Sequence, residues 1–325
     1  MGFLSTFLYS QLFVTPPYPV KSFAGQTVIV TGSNTGLGLE AARHFVRLDA
    51  EKVIIAVRNV SAGQRAKQSI EESTGRENVC EVWELDLASY ASVQAFAKRA
   101  STELSRIDVL LENAGLATEQ FKFAENQERT ITVNVISTFL LGLLLLPKME
   151  ETADKDKNPT KKPRWTIVCS GAHALTNFPE YKEGNTFANL SNKEKSDMTV
   201  RYPTSKLLEV LIVRELAPKI TNSKIILNMT DPGLCHSELA REAGFSLWLM
   251  KLLLGRKTEV GSRCLVASAV VGDESHGAYI SNGEVSNQHL SAFVISDGGR
   301  KAQENVWSEL KEVLENIVPG VTAWT

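Results

Sequence analysis

From Gln26 onward, short runs rich in β-branched residues alternate with longer stretches whose apolar positions recur at helical spacing. Such alternation is the pattern of a parallel sheet covered by helices on both faces. Strands are predicted at residues 27–31, 53–57, 82–85, 109–111, 166–169, 225–229 and 277–280, with a helix over 38–48 after the first. The apolar run 139–146 is far shorter than the roughly 20 residues that a membrane helix needs, so it predicts a buried helix. Residues 150–164, rich in Asp, Lys, Asn and Pro, predict a solvated loop. With no internal repeat and no shift of composition, the expected fold is α/β: one doubly wound domain over 25–325, with a parallel seven-stranded sheet and a C-terminal extension. An arm over 1–24 precedes it.

Composition narrows the function classes. The 325 residues are 43% hydrophobic and 22% charged, as in globular proteins. A net charge of -2 and an isoelectric point near 6.3 remove the broad attraction that drives non-specific nucleic-acid binding. Cys80, Cys169, Cys235 and Cys264 are scattered, without a C-x-x-C pair or clustered histidines, so neither a metal site nor a disulfide framework is expected. A reducing, cytoplasmic setting follows. The opening segment, 1–20, lacks the charge pattern of a signal peptide and is too short to span a bilayer. Its start matches the myristoylation pattern at Gly2, but no polybasic run follows to give a second anchor. Residues 245–254, which include Trp248, are apolar and also too short to span; they suit a lid over a pocket or a surface touching a membrane.

Directly after the first predicted strand stands Thr31-Gly32-Ser33-Asn34-Thr35-Gly36-Leu37-Gly38, followed by a helical pattern. Glycines let backbone approach a pyrophosphate, and a helix start offers free N–H groups and a positive dipole end. Strand before and helix after make this a dinucleotide cradle, and the domain a Rossmann domain. An NAD-selective site places an acidic residue about 20 positions further on. Here the second strand ends in Arg58-Asn59, and a guanidinium fork suits a phosphate, so NADP(H) is expected over NAD(H). Asp86-Leu87 after the third strand could meet the adenine. Asn113-Ala114-Gly115 after the fourth leaves room for a ribose.

Tyr202 and Lys206 open an apolar helical stretch and lie four residues apart, hence on one face. A free phenol titrates near pH ~10, and a neighbouring ammonium favours its ionised form, so the tyrosine can exchange protons with a substrate oxygen. Ser170 follows the fifth strand and can hydrogen-bond the same oxygen. Asn134, on the preceding helix, can hold a water linking Lys206 to solvent. His173 and His236 fall near the expected pocket, where ordering a loop competes with assisting a substrate.

Glycine loop, Asn113-Ala114-Gly115, Asn134, Ser170, Tyr202, Lys206 and Pro232-Gly233 together resemble, in order and approximate spacing, the short-chain dehydrogenase/reductase family over about residues 25–240. The resemblance implies a catalytic tetrad of Asn134, Ser170, Tyr202 and Lys206, with Tyr202 and Lys206 also touching the nicotinamide ribose. Pro232, Gly233 and Leu234 would lie against the nicotinamide and Ser237 near its amide; the resemblance also implies helix-mediated homodimers, which the long apolar C-terminal segment could equally block. More narrowly, Ala56-Val57-Arg58-Asn59, Ser170-Gly171-Ala172-His173 and a tryptophan-bearing C-terminal helix resemble the retinol-dehydrogenase-like branch. The segments 18–32 and 232–236 are similar to its fungal members, many tied to secondary metabolism. Glu112 departs from the asparagine usual before Asn113, and Cys169 from a serine. A hydrophobic small-molecule carbonyl or alcohol is the expected substrate, with a lid over about 234–260 and a pocket including His173, His236 and Trp248. Two alternatives stay open: an NADP(H) sensor without turnover, and a non-redox cyclase or isomerase.

Overall fold

A computed structural model describes residues 3–156, 161–220, 224–236, 239 and 254–323. Seven strands run parallel: β1 (Thr27–Thr31), β2 (Lys52–Val57), β3 (Cys80–Glu84), β4 (Val109–Glu112), β5 (Arg164–Val168), β6 (Ile226–Asp231) and β7 (Tyr279–Ser281). An eighth, β8 (Glu284–Val285), returns antiparallel to β7, giving the order β8-β7-β6-β5-β4-β1-β2-β3. The expectation of seven strands thus lacked the hairpin. Its turn is Asn282-Gly283, both at positive φ (55° and 88°), the two-residue turn whose twist matches a hairpin.

The parallel strands inside the sheet are buried on both faces, edge strand β3 less so, and successive side chains sort between two layers. Val28 and Val30 of β1 join the core formed with α2 (Gly36–Arg47), α3 (Val60–Thr74) and α7 (Thr258–Ser268). Ile29 joins the opposite core, formed with α4 (Tyr90–Glu103), α5 (Ser137–Lys155), α6 (Arg201–Leu216) and α8 (Asp297–Ile317). Helix α8 buries Val306, Trp307, Leu310 and Leu314 along one stripe and packs on α6.

Helix α5 corrects the predicted loop. It runs to Lys155, where Glu151 pairs with Lys148 (3.0 Å) and Lys155. Polar residues at i, i+3 and i+4 make a solvated helix end as readily as a loop. The helical stretch 129–155 is long and apolar enough to cross a membrane by composition, but 89% of its apolar window is buried within the fold. It is a core helix.

The opening segment carries α1 (Phe3–Phe13), without a charged residue. Gln11 ties it to the far end of the chain: Nε2 donates to the carbonyls of Leu234 (3.0 Å) and Leu254 (2.6 Å), and Oε1 accepts from the Leu234 amide (3.1 Å). Arg256 adds bonds to the carbonyls of Ser10 (2.6 Å) and Val14 (3.1 Å).

Candidate active site

Strand order reverses between β1 and β4, and at such a switch point a crevice opens beyond the carboxyl ends of the strands. The glycine loop leaves β1 on one side of that crevice. Gly32 has φ 65°, and a Cβ there would lie 2.9 Å from Ala114 Cα. A Cβ on Gly38 would meet Asn113 Nδ2 at 2.5 Å. The two predicted signals therefore form one unit: Asn113 Nδ2 donates to Thr31 O (2.9 Å), and the Ala114 amide donates to Thr31 Oγ1 (2.9 Å). Ser33 is buried and donates to Val30 O (2.7 Å), holding the turn from within. Thr35 makes no side-chain cap on α2, whereas Asn59, Ser89 and Ser296 cap α3, α4 and α8. The first-turn N–H groups around Gly36 and Leu37 are thus left to an anion. A cradle that a Cβ would fill and an uncapped helix start fit the pyrophosphate of a dinucleotide.

Asn134 lies in a turn of π-helix, Thr132–Ile136, that interrupts the helix leading into α5. Such bulges re-aim side chains and recur at functional sites. Its Oδ1 accepts from the Leu116 amide (2.9 Å), while Nδ2 donates to Leu116 O (3.0 Å) and Ser205 Oγ (2.9 Å). Ser205 in turn donates to Tyr202 O (2.8 Å). Asn134 is thereby fastened both to the loop after β4 and to the first turn of α6. The Ser205 link went unread in the sequence, although the residue stands inside the Tyr202–Lys206 interval.

Ser170, just past β5, is half-buried like Tyr202, and its hydroxyl lies close enough to the phenol to favour the ionised form. Lys206 is buried beneath, with Nζ 5.8 Å from the centre of the Tyr202 ring. The four expected catalytic residues therefore converge, two at the cleft surface and two below it. The electrostatics depart from the expectation of an acidified phenol. Burial pushes Tyr202 up; Lys206 pulls it down, but Glu209 pushes it up again, and the phenol stays above its ordinary value. Glu209 accepts from Lys206 Nζ at 2.7 Å, a partner that i, i+3 spacing could have disclosed.

Arg58 projects exposed from the end of β2, next to the cradle, where the Gly32 amide donates to Ala56 O (2.8 Å). The Asn59 side chain accepts from the Ala62 amide (2.9 Å) as the cap of α3. Asp86 sits at the end of β3, its carboxylate accepting from the Ala88 amide (2.9 Å), and Leu87 is buried behind it. Beyond β6, Gly233 has φ 74°, and its amide donates to Asp231 Oδ1 (2.9 Å). Arg256 Nη1 holds Pro232 O (3.1 Å), and Gln11 holds Leu234 from both sides.

His173 is corrected from pocket to support. It is 1% exposed, Nδ1 bonds Ser170 O (2.8 Å), and Nε2 accepts from the Ser291 amide (3.1 Å). With both ring nitrogens engaged, and burial holding its pKa below the ordinary value, it orders the turn that presents Ser170. His236 is exposed. Ser237, Trp248 and most of the expected lid lie outside the described residues.

A family model described as short chain dehydrogenase matches residues 26–157. The chain is 47% identical to "Short chain dehydrogenase/reductase dmxR8" of Cryptosporiopsis sp., over 98% of this chain and 99% of that protein. It is 45% identical to "Short-chain dehydrogenase anuD" of Penicillium roqueforti, over 97% and 84%. Among solved structures, an NADPH-bound carbonyl reductase from chicken fatty liver superposes with a TM-score of 0.61 at 20% identity, covering 82% of this chain and 99% of that one. A 3-ketoacyl-(acyl-carrier-protein) reductase from Brucella melitensis, complexed with NADH, gives 0.58 at 18% identity, over 86% and 100%. Structures this distant speak for the fold alone, but full-length identity near one half decides the lineage: the chain belongs to the short-chain dehydrogenase/reductase family of oxidoreductases.

Proposed function

We propose that the chain reduces a ketone or aldehyde on a hydrophobic small molecule, such as a fungal secondary-metabolite intermediate, using NADPH and Tyr202 as proton donor. The observation that carries this reading is the convergence of Tyr202 and Ser170, with Lys206 buried beneath the phenol ring and Asn134 tied to the same helix turn. The dinucleotide, when bound, supplies the hydride. The chain's own residues do the rest. Ser170 holds the substrate oxygen, Tyr202 gives it a proton as charge develops, and Lys206 steadies the resulting phenolate. In the reverse direction Tyr202 is the base. Gly32 to Gly38, Asn113 to Gly115 and Pro232 to Leu234 would hold the cofactor, with Asp86 and Leu87 at the adenine end.

Arg58 supports the choice of NADP(H), because an exposed guanidinium stands where a 2′-phosphate-binding residue is needed, without a carboxylate beside it in sequence. The same reading takes residues 25–325 as one domain with an arm over 1–24, acting in the cytoplasm. A homodimer would use a helix surface other than the face of α6 that α8 covers.

The test is NADPH oxidation against a panel of lipophilic ketones and aldehydes, comparing the native chain with Tyr202→Phe. Loss of a general acid lowers kcat/KM by about 10²–10⁴-fold. NADPH binding should fall far less than turnover, by no more than the one ribose contact of the lost hydroxyl. Tight NADPH binding without oxidation by any carbonyl favours a sensor instead. Product that forms without cofactor and survives the substitution favours a non-redox enzyme.

A further inference from the structure

Tyr202, Lys206 and Glu209 follow one another at i, i+4 and i+7 along a single stripe of α6. Lys206 Nζ donates to Glu209 Oε1 at 2.7 Å and to Val168 O at 2.9 Å. Side-chain exposure is 6% for the lysine and 2% for the glutamate, so solvent screens neither. An ammonium carrying a carboxylate at contact distance presents little net charge to a third group beyond it.

Other ionisable groups facing this stripe come from four strands. Glu112 of β4 accepts from Trp165 Nε1 (2.7 Å), and burial pushes its carboxyl well above the usual range. Cys169, just past β5, is likewise pushed up by burial and stays a thiol. Asp231 of β6 is held by Tyr279 Oη (3.0 Å) from β7, and that phenol is also pushed up. Glu209 alone among them touches the lysine. Burial pushes its carboxyl up to about 7 against the pull of Lys206, so above that pH it carries charge while Tyr202 is still a phenol.

Resting on the reading of Tyr202 as proton donor, we infer that Glu209 is a positioning residue that offsets the Lys206 charge felt by Tyr202 and keeps the phenol protonated. The site then stands ready to give a proton to a carbonyl rather than take one from an alcohol. No bond to the substrate is asked of Glu209, which acts through Lys206.

Glu209→Gln keeps the hydrogen-bonding shape and removes the charge. In an ultraviolet difference titration of tyrosinate, each protein is compared with its own Tyr202→Phe counterpart, so that Tyr202 alone is read. Its midpoint should fall by about 1–2 pH units, for a unit charge lost at roughly 6–10 Å in an effective dielectric near 20. The alkaline limb of carbonyl reduction and the onset of alcohol oxidation should shift down by the same amount. Glu209→Asn serves as a second neutral variant should the glutamine form fail to fold. A merely structural role would lower the melting temperature and the rates while leaving both midpoints in place. A midpoint that is unmoved or raised overturns the inference. The titration needs no substrate, so a native chain that turns over no carbonyl would sink the proton-donor reading separately, with the charge effect still decided.

Discussion

At Gly32 one missing carbon shapes the crevice. A side chain there would have to adopt φ 65° and push into Ala114, so the cradle and the loop after β4 could not close together. Arg58, by contrast, is placed by the end of its strand, and its exposure leaves the guanidinium to a phosphate. Arg58→Ala should weaken NADPH binding by about 10–100-fold, the worth of a hydrogen bond to a charged group. NADH binding should change little, and titration of both cofactors by fluorescence checks the ratio. Equal losses would remove the argument for NADP(H). Residues with fixed spacing were legible in the sequence, because a turn or a helix repeat brings them together whatever the rest does. Glu209 was equally close to Lys206 along the chain, yet its part depends on how deeply the pair is buried, which spacing does not disclose.

Strands and helices differ in how much of them the chain announces. The seven parallel strands declare themselves as apolar runs, whereas β8 is two residues long and shows only through the Asn282-Gly283 turn. The π-helical turn around Asn134 has no mark in the sequence, since it inserts one residue into an otherwise regular helix. Helix α1 has no polar face to betray its orientation, and its place is set by Gln11. Gln11→Ala removes three hydrogen bonds, each worth about 0.5–1.5 kcal/mol. Hydrogen exchange should then accelerate at the Leu234 amide and along α1, with the amides of β1 unchanged. Mass-resolved exchange on the two proteins reads both at once. Unaltered exchange at Leu234 would mean that other ties, among them those of Arg256 and Asn282 to Ser10, secure the helix without Gln11.

Across the whole molecule, burial holds the pKa of both His44 and His173 below the ordinary histidine value. An unfolded chain takes up these protons near pH ~6.5, while the folded one resists until lower pH. The histidines' share of the stability is therefore full above about pH 6.5 and declines as pH falls, by up to about 1.4 kcal/mol per pH unit for each, while the raised carboxyls of Glu112 and Glu209 act in the opposite sense. Thermal melting of the native chain beside His173→Asn, from about pH 7 down to 5, isolates that share. His173→Asn should melt lower throughout but with a shallower acid slope. The Gln11 clasp has a consequence in time as well. Helix α1 emerges from the ribosome ahead of every residue it grips, and Leu234 and Leu254 follow 223 and 243 positions later. Loop closure over that span is costly until the intervening chain is compact. A helix made so far ahead of its partners is thus among the latest to find its seat, and a nascent chain halted before residue 234 should leave it open to protease.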